Sequence, residues 1–217
     1  MDSRGWDWSV VSGDFWKNPS FAAMNYSKKW KEEGYHSVLD LGCGLGRNSF
    51  VFAKEGFETT LVDISLDAIK YVQQKRDELN VAMPCYVADM LNLPFKDNSF
   101  DCVFAYHVIS HQDTEGVKKA FKEIYRILKP NGKCFVTLGS KRHPDFCAKD
   151  KIVVDENTII KNKVGEENVP HFYVASEDLG FLKNDFLFES VNEVTIYNNE
   201  TLNMAISHFE IEMKSKK

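Results

Sequence analysis

Apolar residues along the chain gather into five short runs, at 37–41, 58–62, 84–88, 102–106 and 133–138, separated by stretches with helical spacing. Short β-rich runs alternating with helices predict a parallel sheet with helices on both faces. Parallel neighbours need long crossovers, and the helices that make them bury both sides of every strand. Between the fourth and fifth runs Val117, Ala120, Phe121, Ile124 and Leu128 keep to one helical face. That pattern predicts a helix capped by Asp113 or Thr114 and ended by Pro130-Asn131-Gly132. Ser65 is positioned to cap another helix running to about Leu79, and a third follows the first strand and stops at Gly56. Ahead of the first strand, Asn18-Pro19 reads as cap and first helical residue, with Gly34 as the stop.

The carboxyl-terminal pattern is different. Residues 186–197 and 203–213 are strand-like and joined only by Asn198-Asn199-Glu200, too short a link for a crossover, so they are expected to pair antiparallel. In the last of them Phe209, Ile211 and Met213 alternate with His208, Glu210 and Glu212, which predicts one buried face and one wet face. Between 141 and 175 the alternation breaks. There Ile152-Val153-Val154 and Thr158-Ile159-Ile160 flank Asp155-Glu156-Asn157 as a small hairpin, placed after the fifth strand where a substrate lid would stand. The chain thus reads as a single domain, 1–217: a helical and aromatic cap (1–36), a ligand-binding core (37–140), the excursion (141–175), and a helix with the terminal hairpin (176–217).

Composition narrows the functional classes. A chain of 217 residues, 43% hydrophobic and 27% charged, is long enough for one sizeable core. A net charge of −5 supplies no basic field for a polyanion, so a nucleic-acid partner is disfavoured. No apolar run reaches membrane-span length, and the first residues lack the signature of an export signal. Cys43, Cys85, Cys102, Cys134 and Cys147 are odd in number and include no Cys-x-x-Cys pair, which points to buried thiols in a reducing, cytoplasmic setting.

The chemistry concentrates in Val38-Leu39-Asp40-Leu41-Gly42-Cys43-Gly44-Leu45-Gly46-Arg47, an apolar strand running into a three-glycine bend and a helix start. Glycines let a ligand approach the backbone, and a helix start offers free N–H groups. The third glycine comes one place too early for the dinucleotide fingerprint, with Arg47 in its slot, so the spacing disfavours a pyrophosphate-bearing cofactor. Asp63 follows the second strand 23 residues after Asp40, and Asp89 follows the third. Three acids at three successive strand ends share the rim where open α/β sheets bind ligands.

The segment from Ser37 to Ser140 resembles the class I S-adenosylmethionine-dependent methyltransferases, especially the branch acting on small molecules. Leu39 to Gly46 is similar to the first motif of that family. Val62-Asp63 is similar to the second, and Asp89-Met90 with Leu93-Pro94-Phe95 to the third. Ser99-Phe100-Asp101 and the stretch from Glu123 to Gly132 resemble the entries to its fourth and fifth strands.

The resemblance implies a Rossmann-like, seven-stranded, mostly parallel sheet that ends in an antiparallel hairpin, S-adenosylmethionine as cofactor, and methyl transfer to a small-molecule acceptor. By position Asp40 with Gly42, Cys43, Gly44, Gly46 and Arg47 would hold the methionine end. Asp63 and Ile64 would take the ribose, Asp89, Met90 and Leu91 the adenine, and Tyr106 would stand beside the methionine moiety. Where relatives often carry a His-His pair, this chain has Ser110-His111.

A general base serves only if the acceptor arrives protonated, and histidine is the usual choice. His107, His111, His143 and His171 all follow strands, with His111 and His171 the first candidates and His107 next. His107 and His111 have chelating spacing if helical but no evident third ligand, so no metal is expected. Two other readings remain open on the residues: a cofactor-binding sensor without transferase activity, and a nicotinamide-dependent oxidoreductase.

Overall fold

Helix α1 (Phe21–Glu32) opens the described part of the chain, which comprises residues 18–161, 166 and 168–217 of a computed structural model. It starts two residues later than Asn18-Pro19 predicted. Ser20 is the cap: its hydroxyl accepts the Ala23 N–H at 3.1 Å, and Asn48 Oδ1 accepts from both the Ser20 N–H and its hydroxyl at 3.0 Å. A side-chain cap that is itself anchored outcompetes a proline that offers only a favourable φ. Trp6, Trp8, Phe15 and Trp16 of the aromatic cap lie outside the described residues.

The core follows as β1 (Ser37–Leu41), α2 (Ser49–Lys54), β2 (Glu58–Asp63), α3 (Leu66–Glu78), β3 (Cys85–Val87), β4 (Phe100–Ala105), α4 (Thr114–Ile127) and β5 (Leu128–Ser140). After these come α5 (Pro144–Cys147), the short strands β6 (Ile152–Val153), β7 (Thr158–Ile160) and β8 (Pro170–Val174), and a 3₁₀ helix (Ser176–Leu182). The hairpin β9 (Phe186–Tyr197) and β10 (Met204–Ser215) closes the fold.

The order β3-β2-β1-β4-β5 is parallel throughout, and β10 adds antiparallel to β5 with β9 outside it. These are the seven strands the resemblance implies. The excursion extends the sheet rather than leaving it. β8 pairs parallel with the tip of β5 at Gly139 and Ser140, and β7 and β6 follow antiparallel.

Alternation along β1 shows why both faces are filled. Leu39 and Leu41 join the core under α4, whereas Val38 joins Ala23, Tyr26, Trp30, Phe52 and Phe104 under α1 and α2. Asp40 shares the second face, which aims its carboxylate at α2. Of the two caps predicted for α4, Asp113 serves, accepting the Gly116 N–H at 2.8 Å. The helix ends at Ile127, with Leu128 already extended, just ahead of Lys129, the residue that Pro130 disfavours in a helix.

Two burial expectations fail for identifiable reasons. β3 is the sheet edge, so Tyr86 and Val87 are exposed rather than buried on both faces. The expected wet face of β10 is largely covered. Glu212 is 1% exposed because α1 crosses that face, where the Trp30 indole N–H donates to Glu212 Oε1 at 3.1 Å and Lys29 also bonds the carboxylate. His208 is 6% exposed on the same side. Cys43, Cys102 and Cys134 are buried as expected, whereas Cys147 is exposed. Among the described residues no helix is long and apolar enough to cross a membrane.

Candidate active site at the carboxyl edge of the sheet

The carboxyl ends of β1, β2 and β3 carry the three acids. The bend after β1 places Gly42, Gly44 and Gly46 all at positive φ. Gly42 has a second reason to lack a side chain: a Cβ there would lie 2.1 Å from Val108 Cγ2, so the segment after β4 packs directly on the bend.

Asp40 is 2% exposed and accepts a 2.5 Å hydrogen bond from the Ser49 hydroxyl; burial pushes its carboxyl up to about 7 against that bond. Asp63 accepts the Gly44 N–H and the Ser65 N–H, each at 2.8 Å. Burial raises its pKa while these backbone donors lower it. An ionised carboxylate accepts about four bonds, so capacity remains for a ligand hydroxyl. Ile64 follows directly and is partly exposed. Asp89 accepts the Leu91 N–H at 2.8 Å, which fixes the turn of Asp89, Met90 and Leu91 beyond β3. Cys43 is buried in the glycine bend, with burial driving its thiol pKa well up. The Arg47 guanidinium stands 5.6 Å from the centre of the Tyr106 ring. Asp101 tethers the start of β4 to β1, accepting from the Ser37 N–H and hydroxyl and from Lys129, each at 2.9 Å.

Residues 106–111 link this rim to a second feature. On one side they touch the glycine bend through Val108 and Arg47 through Tyr106; on the other they line a cavity of about 110 Å³. Into it point His107, Ser110 and His111 from this segment, His143 and Lys161 from the excursion, His171 and Tyr173 from β8, and His208 from β10. The rings pair closely, His107 with His208 at 4.8 Å between centres and His111 with His171 at 5.1 Å. Burial, then the neighbouring imidazole, drives both His107 and His111 down to about 3, so both are neutral at pH 7.

The structure therefore gathers the three histidine candidates, His107, His111 and His171, in one place. His107 and His111 are not on a helix and face different partners, and among the described residues no group of three or more His, Cys, Asp or Glu is arranged to hold a metal ion. Sequence reasoning missed His208 and Lys161. His208 was assigned to a wet face, and only the β10–β5 register, which sets it against Gly139, brings it to the cavity.

Residues 39–136 match the family model of a methyltransferase domain. An uncharacterized protein of Methanocaldococcus jannaschii is 37% identical over 128 residues, which is 59% of this chain and 50% of that one. Phosphoethanolamine N-methyltransferase 3 of Arabidopsis thaliana is 30% identical over 149 residues, 66% of this chain and 28% of that protein. The chain thus spans half or less of these relatives. The crystal structure of the PH0226 protein from Pyrococcus horikoshii superposes with a TM-score of 0.70 at 25% identity, covering 90% of this chain and 89% of that one. Residues 39–136 thus carry a methyltransferase domain, and the fold around them is similar to that of the solved structure.

Proposed function

We propose that the protein binds S-adenosylmethionine along the rim formed by the β1, β2 and β3 ends and transfers its methyl group to a small molecule seated in the histidine-lined cavity. The observation that carries this reading is the continuity of the two features. One six-residue segment, 106–111, packs on the glycine bend with one side and lines the cavity with the other.

In this reading Asp40, the 42–46 backbone and Arg47 hold the methionine end. Asp63 and Ile64 take the ribose, Asp89, Met90 and Leu91 the adenine, and Tyr106 borders the reacting sulfur. The bound cofactor supplies a methyl group already activated by its sulfonium. The chain's own task is then to fix distance and angle and to keep water out. Segment 141–175 serves as the acceptor-side wall through His143, Lys161, His171 and Tyr173. A phosphoethanolamine methyltransferase among the relatives supports a small polar acceptor.

Calorimetry with S-adenosylhomocysteine tests the cofactor half: micromolar binding is expected, weakened at least about 30-fold in Asp63→Ala, or about 2 kcal/mol. Absence of heat with the wild-type protein removes the proposal. Methyl release from labelled cofactor across an acceptor panel separates a transferase from a binding protein that transfers nothing.

A further inference from the structure

Five of the chain's six histidines meet at one cavity, and their ring nitrogens are not equally committed. The His107 Nδ1 lies 3.4 Å from the Thr137 hydroxyl, which also accepts the His107 N–H at 2.7 Å. His143 Nδ1 accepts the Asp145 N–H at 3.1 Å. His171 Nδ1 lies 2.9 Å from the Val169 carbonyl, and its Nε2 stands 3.3 Å from Glu166. His111 stacks edge-on against His171. His208 differs: neither Nδ1 nor Nε2 has a hydrogen-bond partner among the described residues, although the side chain is only 7% exposed. Buried polar groups are almost always paired, so an imidazole on the wall of a polar cavity with both buried nitrogens unpaired points to a ligand that completes it.

We infer that His208 is the proton acceptor for a small, weakly acidic O–H, S–H or ring N–H nucleophile seated in this cavity. The inference rests on the methyl-transfer reading above and deepens it by naming the acceptor class. Three observations define that class. The cavity, at about 110 Å³, is smaller than the roughly 150 Å³ that holds a benzene ring, so only the reacting head of the acceptor fits. His107 and His111 are neutral at pH 7, so the cavity does not itself attract an anion through them. Glu210 Oε1 lies 3.6 Å from His208 Nε2, beyond a hydrogen bond yet close enough to stabilise an imidazolium once it forms.

Opposite His208 on β5, Gly139 has no side chain, and a Cβ there would meet the Tyr173 ring at 2.6 Å, so the space beside the imidazole is set by backbone. In the step itself the acceptor X–H gives its proton to the imidazole and its lone pair forms the X–CH₃ bond. The C–S bond breaks with its electron pair going to sulfur, leaving methylated acceptor, S-adenosylhomocysteine and imidazolium.

The test uses the full chain and methyl-labelled S-adenosylmethionine with phenol, benzenethiol and benzimidazole as weak-acid probes, and with pyridine as a nucleophile that has no proton to lose. Transfer to at least one weak acid is expected. His208→Asn and His208→Gln should each lower kcat at least about 100-fold, while S-adenosylhomocysteine affinity by calorimetry stays within twofold. Added imidazole should restore part of the rate in His208→Ala.

Transfer to pyridine alone, wild-type rates in both substituted proteins, or no transfer to any probe by a protein that binds S-adenosylhomocysteine would overturn the role of His208 and leave the cofactor site standing. Failure of the wild-type protein to bind S-adenosylhomocysteine would instead remove the reading beneath it.

Discussion

The glycine bend and the histidine cavity are neighbours built in opposite ways. The bend is one continuous stretch, Asp40 to Ser49, held by hydrogen bonds among its own residues, to Val62 and Asp63 of the next strand and, through Arg47 and Asn48, to Asn18 and Ser20 just ahead of α1. The cavity takes its wall from three separate parts of the chain: segment 106–111, the stretch from Gly139 through the excursion to Tyr173, and β10. A local motif holds a ligand common to a family, because close backbone approach demands particular residues at particular spacings. An assembled wall can change its chemistry one element at a time, which suits a site that selects an acceptor.

The same substitution placed in each region breaks or confirms that contrast, and the effect should be largest here. Gly42→Ala puts a Cβ 2.1 Å from Val108 Cγ2 at φ +69°, combining left-handed strain with a clash against a stiff β-branched side chain. A loss of about 3–5 kcal/mol in urea unfolding is expected, with S-adenosylhomocysteine binding abolished. Val108→Ala should recover part of it. Gly139→Ala meets a Tyr173 ring atom at 2.6 Å and the Phe172 carbonyl oxygen at 3.0 Å but carries no left-handed strain, and should cost about 1–3 kcal/mol while leaving cofactor affinity nearly intact. Equal losses of affinity from the two would mean the regions are one unit.

What could be read from the sequence divides along the same line. The parallel strands, the bend, Asp63 and Asp89 were legible because each rests on a period or spacing inside a short window. The ends of α1 and α4 were less so, since Ser20 is chosen as cap by Asn48, 28 residues away, which no local propensity encodes. The wet face assigned to β10 failed because alternation reveals which residues share a side but not what covers it. There Trp30 and Lys29 of α1 seal Glu212, while Lys133 of β5 lies 3.7 Å from it. His208 was invisible for that reason, its meaning depending on a register to β5 and on a cavity completed by the excursion.

Acidity separates the regions next, with opposite signs. The folded protein keeps Asp40 protonated up to about pH 7, whereas the unfolded group loses its proton near 3.8. Asp40 therefore contributes stability at low pH that is lost as pH rises toward 7. His107 and His111 stay neutral when folded down to about pH 3, but the unfolded rings take up protons below about 6.5. Their contribution is therefore lost as pH falls from about 6.5 toward 3. From pH 7 to pH 5, each ring should cost at most about 2 kcal/mol, with Asp40 offsetting roughly one of them. Urea unfolding at both values should show a steeper acid loss in Asp40→Asn and a shallower one in His111→Gln. The same slope in both would refute the assignment of buried charge.

The smallest expected effect probes the hinge between the two regions. Ser110 ties segment 106–111 to its far wall: its hydroxyl accepts the Gly139 N–H at 3.2 Å and its carbonyl accepts the Phe172 N–H at 2.8 Å. Ser110→Ala removes only the first of these, leaving one partly buried N–H without its partner, a cost of about 1 kcal/mol. Because Val108 still presses on Gly42, the cofactor side should not register the change. S-adenosylhomocysteine affinity should hold within twofold while the acceptor KM rises, as the wall carrying Gly139 and Tyr173 loosens around the acceptor. A tenfold fall in cofactor affinity in this variant would show that strain in the wall reaches the bend, and that the two sites were never independent.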